Sequence, residues 1–496
     1  MSFFSTRGGS CVTASQAILR SATRDGGLFV PAMFPMVEIG EITAFSNKSY
    51  AERTSEILKM YLEDFSPEEI SGITKTAYES GRFDDPSVAP MRRLDRMTWV
   101  MELFHGPTAA FKDIALQLLP YLLRIAAEKN SETGELTVLM ATTGDTGKAA
   151  MEGFRDIPGT RCAVFYPQKG IGEVQRLQME TAEGSNIHAI AVDATFDEIQ
   201  NHVRDLLSSE DFASKLAKKG CVLTSANSIN FGRIAAQIVY YFSAYADLIA
   251  NGEIVAGEQV NFVVPTGNFG NILAAYYAGN MGLPIHRLIC ASNRNKVLTD
   301  FFSSGIYSVH RTFFKTKSPS MDILFSSNLE RLLYEASDRD GALVSAWMGQ
   351  LKECGSFSVG EQRKEWLDGT FCSGCADDRE TLKEIRDRFE QDHYLMDPHT
   401  AVASHVLRRY RQETSDDKPS IIVATASPYK FSEDVLLGLE GSDAIKGKDA
   451  FECASKLAEI SGMKVPERLV KLQNMPVRQK AVCETDGIMD TVLQLL

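Results

Sequence analysis

The sequence predicts an α/β protein with parallel β-sheets that are flanked by helices. Short apolar runs, such as 136–141 and 259–265, alternate along the chain with stretches of helical periodicity. This alternation is typical of parallel strands joined by helical connections. The chain has 496 residues, of which 44% are hydrophobic and 24% charged. It is therefore long enough for two or three domains, or for one large core with additions.

The elements follow one another in a regular order. Residues 1–92 form a separate N-terminal unit, with helical spacing at 12–22 and 50–62. The core covers 93–435. Its predicted strands are 98–104, 136–141, 161–166, 187–192, 221–224, 259–265, 287–291 and 421–425. Its predicted helices include 109–129, with Pro120 as a kink position, 146–154, and those that begin near Asn230, Phe269 and Asp397.

Three further regions complete the domain organisation. The smaller of two α/β subdomains is expected at roughly 130–235. Residues 300–395 are less regular, rich in charge and serine, and are interpreted as an elaborated region with several helices. The segment 436–496 is expected to be helical. Asp397 and Pro398 are typical of a helix N-cap and first helical position, which accounts for Asp397 without catalysis.

The composition excludes several functional classes. A formal net charge of −13 gives no advantage in binding nucleic acid. No apolar run of 18 residues is present, so no membrane span is expected. The first residues do not resemble a secretory signal, and nine scattered cysteines suit a reducing cytosol, so a cytoplasmic location is predicted. Cys372 and Cys375 form one Cys-x-x-Cys pair without the second pair that a zinc site requires, and no metal is expected.

Lys112 is the first candidate catalytic residue. It lies between an apolar strand-like run and a helical run. Burial at such a position lowers the pKa of a lysine, which makes the amine a nucleophile toward aldehydes. The alternative is a surface lysine whose stem lies along apolar side chains.

Three loops follow other strand ends, where ligands bind in parallel sheets. Loop 266–271 has small residues at a helix start, which suit either a phosphate or an ordinary turn. Loop 142–148 offers donors for a carboxylate or caps a helix; it lacks the Ser/Thr of a P-loop. Residues 227–233 offer amide, hydroxyl and guanidinium donors, of which Arg233 suits a phosphate, although a helix cap with a solvated arginine is the alternative.

The remaining polar candidates are less specific. Thr425 ends a further strand, and its hydroxyl can face a ring nitrogen or satisfy backbone. His105 is as consistent with a packed imidazole as with an acid or base. His393, His399 and His405 do not share one helix face, so they are poor candidates for metal ligands.

Together these residues resemble threonine synthase, in its longer microbial and fungal-like branch. The matching segments are STRG (5–8), DGGLFVP (25–31), ELFHGPTAAFKD (102–113), GDTGKAA (144–150), NSINFGR (227–233), PTGNFGN (265–271), SPSMDI (318–323) and DPHTAV (397–402). They occur in the same order over residues 3–435. The chain departs from the common pattern at Thr143, Ser427 and Tyr429.

The resemblance implies a fold type II pyridoxal 5′-phosphate (PLP) enzyme. Lys112 would hold the cofactor as a Schiff base, with Asp145 near its ring hydroxyl and Thr425 at its ring nitrogen. The cofactor phosphate would be held by Gly267, Asn268, Phe269, Gly270 and Asn271. The substrate carboxylate would be held by Thr142, Thr143, Gly144 and Thr146, and the substrate phosphate by Asn227, Ser228, Arg233 and Lys148.

The reaction implied by the resemblance converts O-phospho-L-homoserine and water into L-threonine and phosphate. Two alternatives stay open. A related PLP enzyme could release phosphate and 2-oxobutyrate, and a catalytically silent protein of the same fold could bind PLP without turnover. The expected partner is a small-molecule substrate, and a monomer and a homodimer are both compatible with the sequence.

Overall fold

The computed structural model describes residues 1–9, 11–169 and 171–496. Its strands, in chain order, are β1 (Ser2–Ser5), β2 (Val12–Thr13), β3 (Phe29–Pro31), β4 (Met91–Asp95), β5 (Thr98–Glu102), β6 (Glu135–Ala141), β7 (Thr160–Pro167), β8 (Ile187–Val192), β9 (Cys221–Thr224), β10 (Val260–Pro265), β11 (Ile285–Ser292), β12 (Ile306–Ser308), β13 (Ser356–Ser358), β14 (Phe371–Cys375), β15 (Ser420–Ala424) and β16 (Ala481–Cys483).

The α-helices in the same ranges are α1 (Ala14–Arg20), α2 (Ile39–Ala44), α3 (Tyr50–Tyr61), α4 (Pro67–Tyr78), α5 (Lys112–Leu116), α6 (Leu119–Lys129), α7 (Asp145–Phe154), α8 (Glu173–Glu180), α9 (Phe196–Leu207), α10 (Glu210–Lys218), α11 (Phe231–Ala250), α12 (Gly270–Asn280), α13 (Val297–Ser304), α14 (Leu329–Ala336), α15 (Gly341–Cys354), α16 (Glu361–Thr370), α17 (Asp378–Asp392), α18 (Pro398–Thr414), α19 (Ser432–Glu440), α20 (Ala450–Ser461), α21 (Glu467–Val470) and α22 (Ile488–Gln494).

The larger sheet has six strands in the order β14-β11-β10-β15-β5-β4. The first five run parallel, and only the edge strand β4 pairs antiparallel, with β5. Every residue of β5, β10 and β15 is buried, because helices cover both faces of the sheet. The predicted α/β class with parallel sheets is thereby confirmed.

The smaller sheet has five parallel strands in the order β16-β8-β7-β6-β9. Its last strand comes from the C-terminal segment 436–496, which was expected to be helical. That segment does contain helices α20 to α22, but between α21 and α22 it also contains β16, which pairs with the edge of β8. Such pairing satisfies backbone groups that an edge strand would expose.

The N-terminal part consists of an antiparallel sheet, β2-β1-β3, and helices α1 to α4. Helices α1, α2 and α3 contact α11, which runs through the centre of the molecule. Almost all of α11 is buried, since its twenty residues carry charge only at Arg233 and Asp247. The N-terminal unit and the core therefore share one hydrophobic core.

Two segments differ in detail from the sequence prediction. The predicted helix 109–129 is broken into α5 and α6, because Pro120 lacks an N–H and lies in the first turn of a new helix. Region 300–395 contains four helices, α14 to α17, and also supplies β14. Cys372 and Cys375 lie in β14, where burial raises the pKa of both thiols.

Helix α18 begins as predicted. Asp397 is its N-cap and accepts the backbone N–H groups of His399 and Thr400, and Pro398 occupies the first turn. No helix in the described ranges is both long and apolar enough to cross a membrane.

Candidate functional site

Lys112 is placed by two loops that follow neighbouring strands. The loop after β5 lies alongside the loop after β15: Phe111 donates its N–H to the Thr425 carbonyl at 2.9 Å, and Ser427 donates to the Ala109 carbonyl at 3.1 Å. Lys112 then begins helix α5 directly beside Thr425. Because β5 and β15 are parallel neighbours, both loops lie at the carboxyl edge of the sheet.

Asp113 fixes the shape of the Lys112 loop. Its carboxylate accepts the N–H and the hydroxyl of Thr108 at 2.8 and 2.7 Å. Gly106 packs directly against it, since a Cβ on Gly106 would lie 2.3 Å from the Cβ of Asp113. The backbone on either side of Lys112 is therefore held by a side chain that tolerates no additional atom at position 106.

We expect Gly106→Ala to lower the free energy of unfolding by about 2–3 kcal/mol, because the new methyl group overpacks a buried contact. Urea unfolding followed by circular dichroism measures this. Gly40→Ala is the matched control, since nothing lies within 4 Å of the Cβ position in that exposed helix. Equal stability of both variants would contradict the close packing at Gly106.

The Lys112 amine lies in a largely buried group of charges. Its Nζ is 3.4 Å from Asp145 Oδ2, and 12% of its side chain is exposed. Burial lowers the pKa of Lys112; the Asp145 carboxylate opposes this lowering, and the positive charges of Lys430 and Arg233 add to it. A lysine in this environment carries an uncharged, nucleophilic amine near neutral pH more readily than a solvated one.

Asp145 is the centre of this group. It accepts the Ser320 hydroxyl at 3.0 Å on Oδ2, and Lys430 Nζ forms an ion pair at 2.7 Å with Oδ1. Burial would raise the pKa of Asp145, but the positive charges of Lys430 and Lys112 outweigh it and hold the pKa of this carboxyl well below its usual range. The sequence singled out Asp145 but assigned no role to Lys430 or Ser320.

The loop 142–148 is closed by one of its own side chains. The Thr142 hydroxyl accepts the N–H groups of Gly144 at 3.0 Å and Gly147 at 2.9 Å. Thr143 is exposed and Thr146 is half-buried at the start of α7. The Thr142 side chain therefore shapes the loop, and the first turn of α7 presents its helix N-terminus to any anion that enters.

Lys148 has a partner within its own helix. Its buried Nζ lies 3.2 Å from Glu152 Oε2, one turn later in α7. This ion pair already balances the charge that was expected to help bind the substrate phosphate.

The loop 267–271 forms a tight turn into α12. Phe269 is the N-cap residue, with a left-handed φ of 64°. Gly267 approaches the segment 318–323 so closely that a Cβ there would lie 2.9 Å from the Ser320 carbonyl oxygen. The Gly267 carbonyl accepts the Ser326 hydroxyl, and the Asn268 carbonyl accepts the Asn328 side chain. The carbonyl groups of Gly267 and Asn268 are thus already hydrogen-bonded to Ser326 and Asn328.

Asn271 leaves a donor available at this turn. Its Oδ1 accepts the hydroxyl groups of Tyr240 and Tyr241 at 2.5 and 2.6 Å, which fixes the orientation of the amide. Its buried Nδ2 has no hydrogen-bond partner in the described part of the chain. A buried donor at the N-terminus of an eleven-residue helix suits a phosphate group.

Residues 227–233 are anchored by Asn230, and Arg233 follows in the first turn of α11. Asn227 and Ser228 are half-buried in the loop. Arg233 is 3% exposed, donates from Nη1 to the Ala226 carbonyl at 3.2 Å, and has no partner for Nε within the described residues. Burial lowers the pKa of Arg233 to about 10, and no carboxylate of the described residues offsets this.

Arg331 is a structural residue that the sequence did not reveal. Its fully buried guanidinium donates to the Ile229 carbonyl at 2.6 Å, to the Phe29 carbonyl at 2.9 Å, and to the Asn328 side chain. It thus joins the N-terminal unit to the loops that carry Arg233 and Asn268.

The residues after β15 point in different directions. Thr425 is 7% exposed, and its carbonyl accepts the Phe111 N–H. Tyr429, one of the departures from the family pattern, points away: its hydroxyl donates to the Met463 carbonyl and contacts Ser461. Tyr429 therefore packs against the C-terminal helices, and Lys430 turns into the site.

His105 lies outside this group of charges. Its ring nitrogens contact Asp84 at 2.6 Å and Glu102 at 3.0 Å. Burial lowers the pKa of His105, but its hydrogen bonds to Asp84 and Glu102 raise it more, to about 9. The residue is thus a packed, ion-paired imidazole that connects Asp84, in the segment between α4 and β4, to Glu102 at the end of β5.

The raised pKa of His105 predicts a pH-dependent stability. The folded-state value of about 9 lies above the ordinary 6.5, so the stabilisation is complete below pH 6.5 and is lost as pH rises through 9. We expect the free energy of unfolding to fall by about 1–2 kcal/mol over this window, after allowing for screening at Asp84. Denaturant unfolding of His105→Asn should lack this component; an unchanged slope would contradict the ion pairs.

The other histidines are separated. His399 accepts the Ser320 N–H on Nε2 and contacts Asp397 through Nδ1, so it supports the segment that carries Ser320. His405 lies near Glu380 and Glu384, and His393 ends α17. They are not gathered at one point.

Comparison with known proteins shows which family has this arrangement. "Threonine synthase N terminus" matches residues 2–78, "Pyridoxal-phosphate dependent enzyme" residues 84–347, and "Threonine synthase, C-terminal" residues 400–491. The chain belongs to the threonine synthase family. Like other members of this PLP-dependent family, it has the α/β fold type II core with two parallel sheets.

Individual members of the threonine synthase family match over most of the chain. A threonine synthase of Pseudomonas aeruginosa is 39% identical over 437 residues, which cover 88% of this chain and 90% of that protein. "Threonine synthase-like 1" of Homo sapiens is 38% identical over 436 residues, and this chain spans only 58% of its length. The crystal structure of PLP-bound threonine synthase from Brucella melitensis has a TM-score of 0.87 at 34% identity, covering 100% of this chain and 99% of that chain.

The residues of this chain fit the cofactor of the threonine synthase family. An aldehyde with a phosphate arm requires an amine for the aldehyde and hydrogen-bond donors for the phosphate. The largely buried Lys112 supplies the amine, and the turn at Gly267 with the buried amide of Asn271 suits the phosphate.

Proposed function

We propose that this protein is a threonine synthase, which converts O-phospho-L-homoserine and water into L-threonine and inorganic phosphate. The observation that supports this most directly is Arg233. The positive charge of its buried guanidinium lowers the pKa of the Lys112 amine. Its Nε has no hydrogen-bond partner within the described residues. Since a buried cation is costly without an anion, Arg233 suits the phosphate of the substrate.

The proposed cofactor is pyridoxal 5′-phosphate. Lys112 would attach it, Thr425 would face its ring nitrogen, and Asp145 would lie near its ring hydroxyl. Its phosphate would be held by Gly267, Asn268, Phe269, Gly270 and Asn271. When bound, this cofactor supplies an electron sink that makes the Cα proton of an amino acid acidic.

Lys112 is proposed to move the substrate protons. Its uncharged amine removes the proton from Cα, and the same group can serve the neighbouring Cβ, because one flexible side chain reaches both. Phosphate then leaves from Cγ, a proton is added at Cγ, water adds at Cβ, and a proton returns to Cα. Asp145 contacts the Lys112 amine at 3.4 Å and orients it.

Two loops are proposed to orient the substrate. Arg233, with Asn227 and Ser228, binds the phosphate. The carboxylate binds at the 142–147 loop, whose shape depends on the Thr142 hydroxyl, at the N-terminus of α7. Lys148 contributes less, since Glu152 already balances it.

A product analysis tests this function. The purified holoenzyme is given O-phospho-L-homoserine, and phosphate, threonine and 2-oxobutyrate are measured over time. We expect threonine and phosphate in equal amounts. Phosphate with 2-oxobutyrate would identify the related phospho-lyase instead, and bound cofactor without any product would identify a silent binding protein; either result would overturn the proposal.

A cytoplasmic location belongs to the same proposal. All nine cysteines are free thiols, which suits a reducing compartment. A small-molecule substrate suits a site built from buried loops and single charges.

A further inference from the structure

Lys430 is a buried charge that the proposed reaction does not use. Its side chain is 0% exposed and lies in the short turn Pro428–Phe431. Its Nζ lies 2.7 Å from Asp145 Oδ1 and donates to the Thr108 carbonyl at 3.0 Å. A fully buried ammonium is costly, so its position beside the Lys112 loop needs an explanation.

The contacts divide Asp145 between two lysines. Lys430 takes Oδ1, whereas Lys112 and the Ser320 hydroxyl meet Oδ2. The Lys430 contact is the shorter of the two, and Lys112 lies 3.4 Å away. Asp145 is therefore primarily the counter-ion of Lys430, and its charge is largely balanced before Lys112 is considered.

We propose that Lys430 is a positioning residue that neutralises Asp145, so that the neighbouring Lys112 amine stays uncharged and ready to bind an aldehyde. The proposal rests on PLP binding at Lys112, which belongs to the proposed function, but not on the identity of the product.

The charges around Lys112 favour its uncharged form. The charged or titratable groups that act on Lys112 and Asp145 are Lys430, Arg233 of α11 and His399 of α18. Lys430 also acts on the carboxyl of Asp113, whose pKa is raised by burial and lowered by the charge of Lys430. Burial lowers the pKa of Lys112, and Lys430 and Arg233 lower it further. Without Lys430, Asp145 would be the partner of Lys112 alone and would favour its protonated form.

The sign of each change follows from the charges. Lys430→Met removes one positive charge from beside Lys112 and raises the pH at which its amine becomes reactive. Asp145→Asn removes one negative charge and lowers that pH. The double variant has the same net charge around Lys112 as the unmodified protein and returns that pH toward its original value, which a merely structural lysine would not do.

The test uses the full-length apoprotein and pyridoxal 5′-phosphate. The Lys112 nitrogen attacks the aldehyde carbon, a carbon–nitrogen double bond forms, and the aldehyde oxygen leaves as water with the two amine protons. Borohydride then adds a hydride to that carbon, and mass spectrometry counts the labelled Lys112 peptide. The rate of labelling is measured from pH 6 to pH 10, over which the ionisation of the cofactor itself is common to all variants.

We expect the midpoint of the rate profile to rise by about one pH unit in Lys430→Met, which is about a tenfold slower labelling at neutral pH. Lys215→Met is the control, because its ammonium also lies 2.7 Å from an aspartate, Asp211, one turn earlier in α10. Its midpoint should not move.

An unchanged midpoint in Lys430→Met, or a double variant that stays as high as Lys430→Met, would overturn the proposal. Lys430→Gln replaces Lys430→Met if the latter does not fold. If neither folds, Asp145→Asn decides, since an unmoved or raised midpoint in that variant also overturns the proposal. Failure of the proposed threonine synthase activity would show only in the products and would leave these midpoints unaffected.

Discussion

Lys112→Ala is expected to abolish turnover, with a fall of about 10⁴-fold or more in kcat, and to remove the visible absorbance of bound cofactor. The amine is both the attachment point and the group that moves the substrate protons, so one substitution removes two functions. Steady-state assays and an absorbance spectrum of the purified protein measure the two losses separately.

Two further variants separate chemistry from charge. Lys112→Arg keeps a positive charge but not a titratable amine, and it should be as inactive as Lys112→Ala. Lys129→Ala is the control. Lys129 lies at the end of α6 and pairs with Glu69 of α4, so its loss should leave activity normal. Steady threonine formation by either Lys112 variant would defeat the assignment.

Arg233→Ala should raise KM for the phosphorylated substrate by about 100-fold, with a smaller effect on kcat. Charge-assisted hydrogen bonds to a buried guanidinium contribute about 2–3 kcal/mol, which corresponds to this factor. Inorganic phosphate should lose potency as an inhibitor by a similar factor. Initial rates over a range of substrate and phosphate concentrations measure both.

Arg411→Ala is the control for this prediction. Arg411 also has an Nε without a partner among the described residues, but it binds Met97 and Thr98 at the opposite end of β5. Its loss should lower stability and leave KM unchanged. A normal KM in Arg233→Ala would move the phosphate site to another part of the molecule.

The interior strands were predictable because each is a buried apolar run between helices. Strand β8 begins and ends at the predicted residues, β6 and β10 differ by one residue at one end, and β7 differs by one residue at each end. Among the edge strands of the two larger sheets, β9 was predicted, whereas β4, β14 and β16 were missed. Residues 371–375 and 481–483 are short and mixed in polarity, so only the neighbouring strand identifies them as part of a sheet.

The candidate site likewise has some features that were visible in the sequence and others that were not. Parallel strands account for the clustering of strand-end loops within each sheet, and the motifs at Lys112, Asp145 and Arg233 were visible in the sequence. Lys430 was not, because a lysine between Tyr429 and Phe431 reads as an amphipathic surface side chain. Its burial depends on an aspartate far away in the chain, and no local pattern encodes that pairing.

The hydrogen bonds of Thr142 within its loop and the ion pair of Lys148 were likewise not evident from the local sequence pattern. Both residues belong to the 142–148 motif and were expected to contact substrate. The structure gives each a partner within its own loop or helix, and a donor-rich sequence at a helix start does not by itself show which donors remain available for a ligand.

The attachment site of the cofactor is the most direct test of this account. The holoenzyme is reduced with borohydride, digested, and its peptides are mapped by mass spectrometry. We expect one cofactor per chain, attached at Lys112. A label at Lys430 or Lys148, or a protein that carries no label after incubation with pyridoxal 5′-phosphate, would contradict it.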